Sequence, residues 1–223
     1  VTYTEDFATA YSVLLLAPNG ERTILTYRGA STHFMVDKMP IADIRADWIY
    51  ISSLSGNTEL LEALVNHAKK RDIKIAINPG KGELAKADWL KSHLKSFEML
   101  NLNKQEMSSL VEGESIQELA IAASKFSKVA VVTDGANGLA VCDGKKVYTA
   151  GMYEDSPVID RTGAGDAMGS GFVAALARGD DIPTAITLGS ANATSVVGQI
   201  GAKAGILTAD AQLHGMDIQE EEL

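Results

Sequence analysis

The sequence has 223 residues, 46% of them hydrophobic and 22% charged, enough apolar material for one sizeable core with at most a small appendage. Its net charge of −9 and pI near 4.9 argue against a nucleic-acid polymer as partner, because neutralising a phosphate backbone takes a basic face. A small phosphorylated ligand stays open, since a helix N-terminus can hold one with backbone N–H groups.

The chain starts at Val1 rather than a methionine and reads directly into β-rich sequence, so we expect a preceding segment that is not represented. "SVLLLAPNGERTILTYRGA" is two β-rich runs around Asn19-Gly20, a strong short-range hairpin signal. "DWIYISSL" (47–54) reads as a buried strand, 57–72 as an amphipathic helix with a polar start, and 73–78 as the next strand, closed by Pro79-Gly80. A helix over about 84–95 leads to a strand at 97–103; helices at 104–111 and 115–127 then precede a strand at 128–133. A second hairpin spans 138–149 and turns at Asp143-Gly144. Helices follow over about 164–178 and 182–200, and the acidic "DIQEEEL" reads as a frayed end. Alternation of short apolar strands with helices predicts an α/β fold with a mostly parallel sheet, an antiparallel edge and a small flap. Apolar runs stay too short for a membrane-spanning helix, and no signal segment opens the chain. One cysteine, Cys142, suits a reducing cytoplasm and reads as packed core.

The segment "VIDRTGAGDAMGSGFVAAL" (158–176) carries the chemistry. It lacks the Lys-Ser/Thr ending of a P-loop. A dinucleotide fingerprint also fails, because Met168 stands where its third glycine belongs and the segment lies late in the chain. What remains is a glycine turn opening a helix, where N–H groups converge and the helix dipole adds positive charge. Asp166 in the first turn faces whatever anion the turn holds, which suits phosphoryl transfer: donors neutralise the moving group while a carboxylate accepts the attacking hydroxyl's proton. On spacing alone, Asp166 can equally be a dipole-compensating acid and the glycines a packing device.

"DRTGAGDAMGSGF" resembles the C-terminal signature of the ribokinase (PfkB) family of carbohydrate and nucleoside kinases. Further matches follow in order: "NGERTILTYRGAS" is similar to the lid, "NLNKQE" to the N-x-x-E pattern, "VVTDGANG" to the nucleotide-site strand and turn, and "ANATSVVGQIGA" to the closing helix. The resemblance implies a ribokinase-like three-layer α/β/α fold with a remnant of a small β lid. It assigns 1–30 to the partial lid and hairpin, and 31–223 to the nucleotide-binding and catalytic core. It implies an ATP-dependent kinase acting on a hydroxyl of a sugar or nucleoside. Asp166 would be the base, and the N–H groups of Gly163, Ala164, Gly165 and Asp166 the anion hole. Asn103 and Glu106 would lie near the phosphates and organise Mg²⁺, Glu106 through water; from the residues alone they read as an N-cap and its capping box. Thr133, Gly135 and Gly138 would border the nucleotide, though alone they read as a strand-to-hairpin turn with glycines at positive φ. Asn192 would border the adenine pocket. Asp160, Thr162 and Gly201 match positions near a monovalent-cation site, with K⁺ extending the positive field.

Two departures stand out: Arg161 replaces a small residue beside the anion hole, and Asp134 brings negative charge near the nucleotide site. The family's N-terminal Gly-Gly unit and acceptor-binding acid are not seen; the resemblance puts Ser53 and Ser55 near the substrate side, though by themselves they read as polar strand-end residues. A non-catalytic nucleotide-binding remnant is therefore the alternative to an active kinase. A homodimer through the lid is left open, as is the acceptor. No membrane or nucleic acid is expected as partner. His33, His67, His93 and His214 lack metal spacing and read as surface or packed residues; Trp48 and Trp89 read as packing.

Overall fold

The computed structural model describes residues 6–17, 22–33, 35–154 and 157–223. Internal contacts group the chain into two compact units, Val1–Glu98 and Met99–Leu223.

In the first unit, β1 (Tyr11–Leu16) and β2 (Arg22–Tyr27) pair antiparallel with Tyr11 opposite Tyr27. Their β-branched and aromatic residues favour the pleat, and the tyrosine rings meet across the pair at 5.3 Å. The Asn19-Gly20 turn expected between them lies outside the described residues. Strand β3 (Trp48–Ile51) runs parallel to β4 (Lys74–Ile77), joined by helix α1 (Thr58–Arg71). Asn57 caps α1 by accepting from the Leu60 N–H at 3.0 Å, and Lys69, Lys70 and Arg71 complement its C-terminal dipole. Leu60, Leu61, Val65 and Ala68 form its buried face. Where the sequence predicts one helix over 84–95, the chain forms α2 (Lys81–Leu84) and α3 (Ala87–Leu94), broken at Lys86 with φ −113° and ψ 45°. The break follows Glu83, which is drawn back into the preceding loops. Its Oε1 accepts from the Leu54 and Gly56 N–H groups at 3.0 and 2.6 Å, and its Oε2 from Ser53 Oγ and the Gly80 N–H at 3.1 and 2.9 Å.

The second unit begins with β5 (Met99–Asn103), helices α4 (Lys104–Ser108) and α5 (Ile116–Ser124), and β6 (Val129–Thr133), which is parallel to β5. Strands β7 (Leu139–Cys142) and β8 (Lys146–Ala150) continue the sheet antiparallel, with α5 packed over β6, β7 and β8. The expected Asp143-Gly144 turn forms, Asp143 Oδ1 accepting from the Lys145 and Lys146 N–H groups at 2.9 and 2.8 Å.

The acidic tail departs from expectation. Ile218–Glu222 is strand β9, antiparallel to β8, rather than a frayed end. Lys146 Nζ reaches Glu220 at 3.2 Å and Glu222 at 3.3 Å, and the exposed acids decorate the strand's outer surface, as charge does on many sheet edges. Helices α6 (Ala164–Arg178) and α7 (Ile182–Val197) pack closely. A Cβ on Gly171 would lie 3.1 Å from Gly189 Cα, and one on Gly189 2.9 Å from the Met168 carbonyl oxygen, so part of the glycine content serves this crossing.

Candidate active site

The catalytic, nucleotide and cation residues named from the sequence fall in the second unit, most of them on two structures, whereas Ser53 and Ser55 belong to the first. The first is the end of the parallel strand pair. Asn103 closes β5 directly opposite Thr133, which closes β6, so the β5–α4 and β6–β7 connections leave at one level, where ligands gather in α/β sheets. Asn103 Oδ1 accepts from the Glu106 N–H at 2.9 Å, and Glu106 Oε2 accepts from the Asn103 N–H at 3.2 Å. This capping box leaves Glu106 Oε1 without a hydrogen-bond partner among the described residues. Beyond Thr133 the chain makes a short turn at Gly135–Asn137 with positive φ at Gly135 (55°) and Gly138 (91°), as expected. Asp134 turns its carboxylate to Asn137 Nδ2 at 3.2 Å.

The second structure is the start of α6. Gly163 is its N-cap, with φ 86° and ψ −3°, and a Cβ there would run into the Ala202 carbonyl oxygen. The left-handed cap turns the chain so that the first helical N–H groups point outward. Ala167 N donates to the Gly163 carbonyl at 2.8 Å, while Ala164 N reaches Arg161 O only at 3.4 Å. The N–H groups of Gly165 and Asp166 have no acceptor among the described residues. Gly165 differs from Gly163, since a Cβ there would meet nothing within 4 Å. Asp166 is exposed, and its carboxylate makes no hydrogen bond or ion pair among the described residues.

Asp160 braces this turn from below. It is 2% exposed; Oδ1 accepts from the Thr162 N–H at 2.9 Å and Oδ2 from the Gly201 N–H at 3.1 Å. The three residues assigned to a cation site are thus brought together, and Thr162 Oγ1 is buried there without a hydrogen-bond partner among the described residues. Among the described residues, no group of three or more His, Cys, Asp or Glu side chains could hold a metal ion. Asn192, expected to border the adenine pocket, lies on the inner side of α7. Its amide is buried and spent within the protein, Nδ2 donating to Ala167 O at 2.8 Å and Oδ1 accepting from the Leu207 N–H at 2.9 Å. It braces α6, α7 and the 207 segment.

Sequence reasoning missed a cavity of about 440 Å³ along α7, lined among others by Tyr153, Ile159, Ser195, Leu207 and His214. Tyr153 and His214 stack with ring centroids 4.1 Å apart and planes 14° apart. The His214 N–H donates to Tyr153 Oη at 2.8 Å, and its Nε2 meets Glu154 Oε1 at 2.8 Å. The Gly215 carbonyl at Nδ1, and then the Glu154 carboxylate, raise His214 above the ordinary histidine value, because only imidazolium donates to both acceptors. Trp89 stacks on His93 at 4.1 Å, the packing role expected of it.

The sequence matches the model of the pfkB family of carbohydrate kinases over residues 1–209. The chain belongs to the pfkB family. It is 28% identical over 218 residues to a ribokinase of Haemophilus influenzae, covering 94% of this chain and 69% of the relative. An adenosine kinase of Schizosaccharomyces pombe is 27% identical over 201 residues, 80% of this chain and 59% of the relative. The chain therefore spans 59% to 69% of the lengths of these two curated relatives. The nucleoside kinase of Burkholderia thailandensis, solved with inosine, superposes with a TM-score of 0.77 at 17% identity, covering 91% of this chain and 67% of that one. The Cryptococcus neoformans ribokinase, solved with ADP, gives 0.74 at 23% identity, with 92% and 71% covered. These neighbours show the ribokinase-like α/β/α fold that the sequence led us to expect. Among the described residues, no helix of this pfkB-family chain is long and apolar enough to cross a membrane.

Proposed function

We propose that this chain is the nucleotide-binding and catalytic part of an ATP-dependent kinase that phosphorylates a hydroxyl of a sugar or nucleoside. The observation that carries the reading is the start of α6, where the Gly165 and Asp166 N–H groups and the exposed Asp166 carboxylate stand side by side, without hydrogen-bond partners among the described residues. The anion hole comprises the N–H groups of Gly163, Ala164, Gly165 and Asp166. Their orientation is set in advance by the Gly163 cap, so they stabilise developing charge without reorganising. Asp166 takes the proton of the attacking hydroxyl as its oxygen bonds to the γ-phosphorus; the β–γ bridging oxygen leaves with ADP.

Asn103 and Glu106 lie at the phosphate end of the nucleotide, beside Thr133, Gly135 and Gly138. Glu106 Oε1, which accepts from no donor among the described residues, suits a water of hydrated magnesium, with the capping box fixing the carboxylate. Magnesium, when bound, neutralises phosphate charge. The Asp160–Thr162–Gly201 cluster, with its orphaned buried hydroxyl, suits a monovalent cation such as K⁺, which would add to the positive field under the anion hole. A cytoplasmic setting is part of this reading, supported by ATP as donor and by a single, buried cysteine.

The test is Asp166→Asn. Turnover of a panel of sugars and nucleosides with Mg–ATP should fall at least about a thousandfold while Mg–ATP binding persists, in keeping with loss of a general base. Undiminished turnover in this variant would sink the assignment.

A further inference from the structure

We infer that Glu83, a buried carboxylate with no part in the chemistry described so far, is a positioning residue for the phosphoryl acceptor and acts through Ser55. The inference rests on the kinase reading above. It concerns the first unit alone, where β3 and β4 run parallel with Ile51 opposite Ile77. The connections through Ser53–Gly56 and Asn78–Gly82 therefore leave from the carboxyl ends of two parallel strands, where ligands of α/β sheets gather. The two connections meet backbone to backbone. A Cβ on Gly82 would lie 2.6 Å from the Gly56 nitrogen, and one on Gly56 2.9 Å from the Gly82 carbonyl oxygen. The Glu83 carboxylate closes this junction, 2% exposed and accepting from Ser53, Leu54, Gly56 and Gly80.

The effect of that carboxylate shows in the backbone of Ser55. Among the described residues, Ser55 and Asp72 alone adopt positive φ without being glycine, at 57° and 56°. Asp72 is the left-handed C-cap that ends α1, a local reason for its conformation. Ser55 ends no helix, and α1 starts only at Thr58. Its conformation is imposed by Glu83. The N–H groups on either side, of Leu54 and Gly56, converge on the single oxygen Oε1 at 3.0 and 2.6 Å. The Ser55 N–H turns inward as well, donating at 3.2 Å to Ser53 Oγ, which itself donates to Oε2. Lys86 Nζ fixes the turn from its other end, donating to the Gly56 carbonyl at 2.8 Å. With three successive N–H groups drawn inward, the Ser55 side chain is left exposed, and its hydroxyl reaches the Ser31 carbonyl only at 3.5 Å. A strained backbone persists only where its surroundings over-determine it, and such positions cluster at ligand sites. Here one carboxylate supplies the constraint, and the group it presents can both donate to and accept from the hydroxyls of a sugar or of a nucleoside's ribose.

Steady-state kinetics with Mg–ATP against D-ribose, D-fructose, adenosine and cytidine test this, because the two KM values separate positioning from folding. Destabilisation alone lowers the fraction of active protein, and hence kcat, and leaves both KM values in place. Glu83→Gln sets an amide NH₂ against these donors and should raise the acceptor KM about tenfold, the scale of one well-placed hydrogen bond, with the Mg–ATP KM unchanged. Ser55→Gly adopts the left-handed turn without strain, so it should stay folded while raising the acceptor KM to a similar extent. The double variant should be no worse than either single one, since two residues acting in series do not add. A wild-type acceptor KM in Glu83→Gln or in Ser55→Gly would overturn the inference and leave the kinase reading standing. A double variant whose effects multiply would also overturn it, because Glu83 would then reach the acceptor by another route. A wild-type protein that phosphorylates none of these compounds would overturn the kinase reading itself, and this inference with it.

Discussion

Gly163 and Gly165 are two residues apart in the same motif, and the structure separates their roles. Gly163 sits at φ 86°, where a Cβ would collide with the Ala202 carbonyl oxygen, whereas Gly165 has open space at its Cβ position. Gly163→Ala meets a left-handed penalty of about 1–2 kcal/mol and an overpacking cost of about 1–3 kcal/mol, roughly 2–5 kcal/mol together. For a chain of this size that lowers Tm by about 4–20 °C. Gly165→Ala carries neither cost, and loss of glycine's unfolded-state entropy should leave stability unchanged or raise it by about 0.4–1 kcal/mol. On the proposed function, however, its methyl group would project where phosphate oxygens approach the N–H groups. Misplacing the transferred group by about 1 Å costs on the order of 100-fold in turnover. Thermal unfolding and steady-state kinetics on both variants check the pair of outcomes: one variant destabilised, the other stable but slow. A Gly165→Ala protein with wild-type turnover would refute the approach of phosphate over this turn. A Gly163→Ala protein with wild-type Tm would refute the backbone argument.

Two further outcomes are expected. The His214 imidazole should titrate above the ordinary value of about 6.5, seen as the pH midpoint of its ring-proton NMR shift. Because its folded value is raised, the bracing it provides is complete below the unfolded value and is lost as pH rises through the folded one. Glu154→Gln should lower the midpoint only part of the way, since the Gly215 carbonyl remains; a wild-type midpoint at or below 6.5 contradicts the geometry. Glu83→Gln puts an amide NH₂ against N–H or O–H donors in a site that is 2% exposed. It should cost about 3 kcal/mol, measured as a lower urea midpoint at unchanged m, and an unshifted midpoint would show the loops do not depend on this carboxylate.

The parts of the site that were legible in the sequence are held by local chemistry. The Asn103–Glu106 box closes over three residues, and its reading as a helix cap was correct whatever else the pair does. The Gly163 cap and the Asp143-Gly144 turn follow from glycine's access to positive φ and from an aspartate's reach to N–H groups just ahead of it. The strand–helix alternation was equally readable, because periodicity of apolar residues depends on neighbours along the chain.

What was not legible depends on residues far apart. Nothing near Asn192 shows that its amide will meet Ala167, 25 residues earlier, and Leu207, 15 later. Tyr153 and His214 are 61 residues apart, and before the chain closes on itself each has many equivalent partners. The acidic tail looked solvated because charge is cheap in water; only the presence of β8 and Lys146 makes Ile218–Glu222 a strand. Caps, turns and repeat patterns are determined by short-range sterics and hydrogen bonds, which the sequence states outright. The braces, the cavity and the sheet edge are decided by which distant groups satisfy one another once the core has formed, and that choice belongs to the tertiary structure.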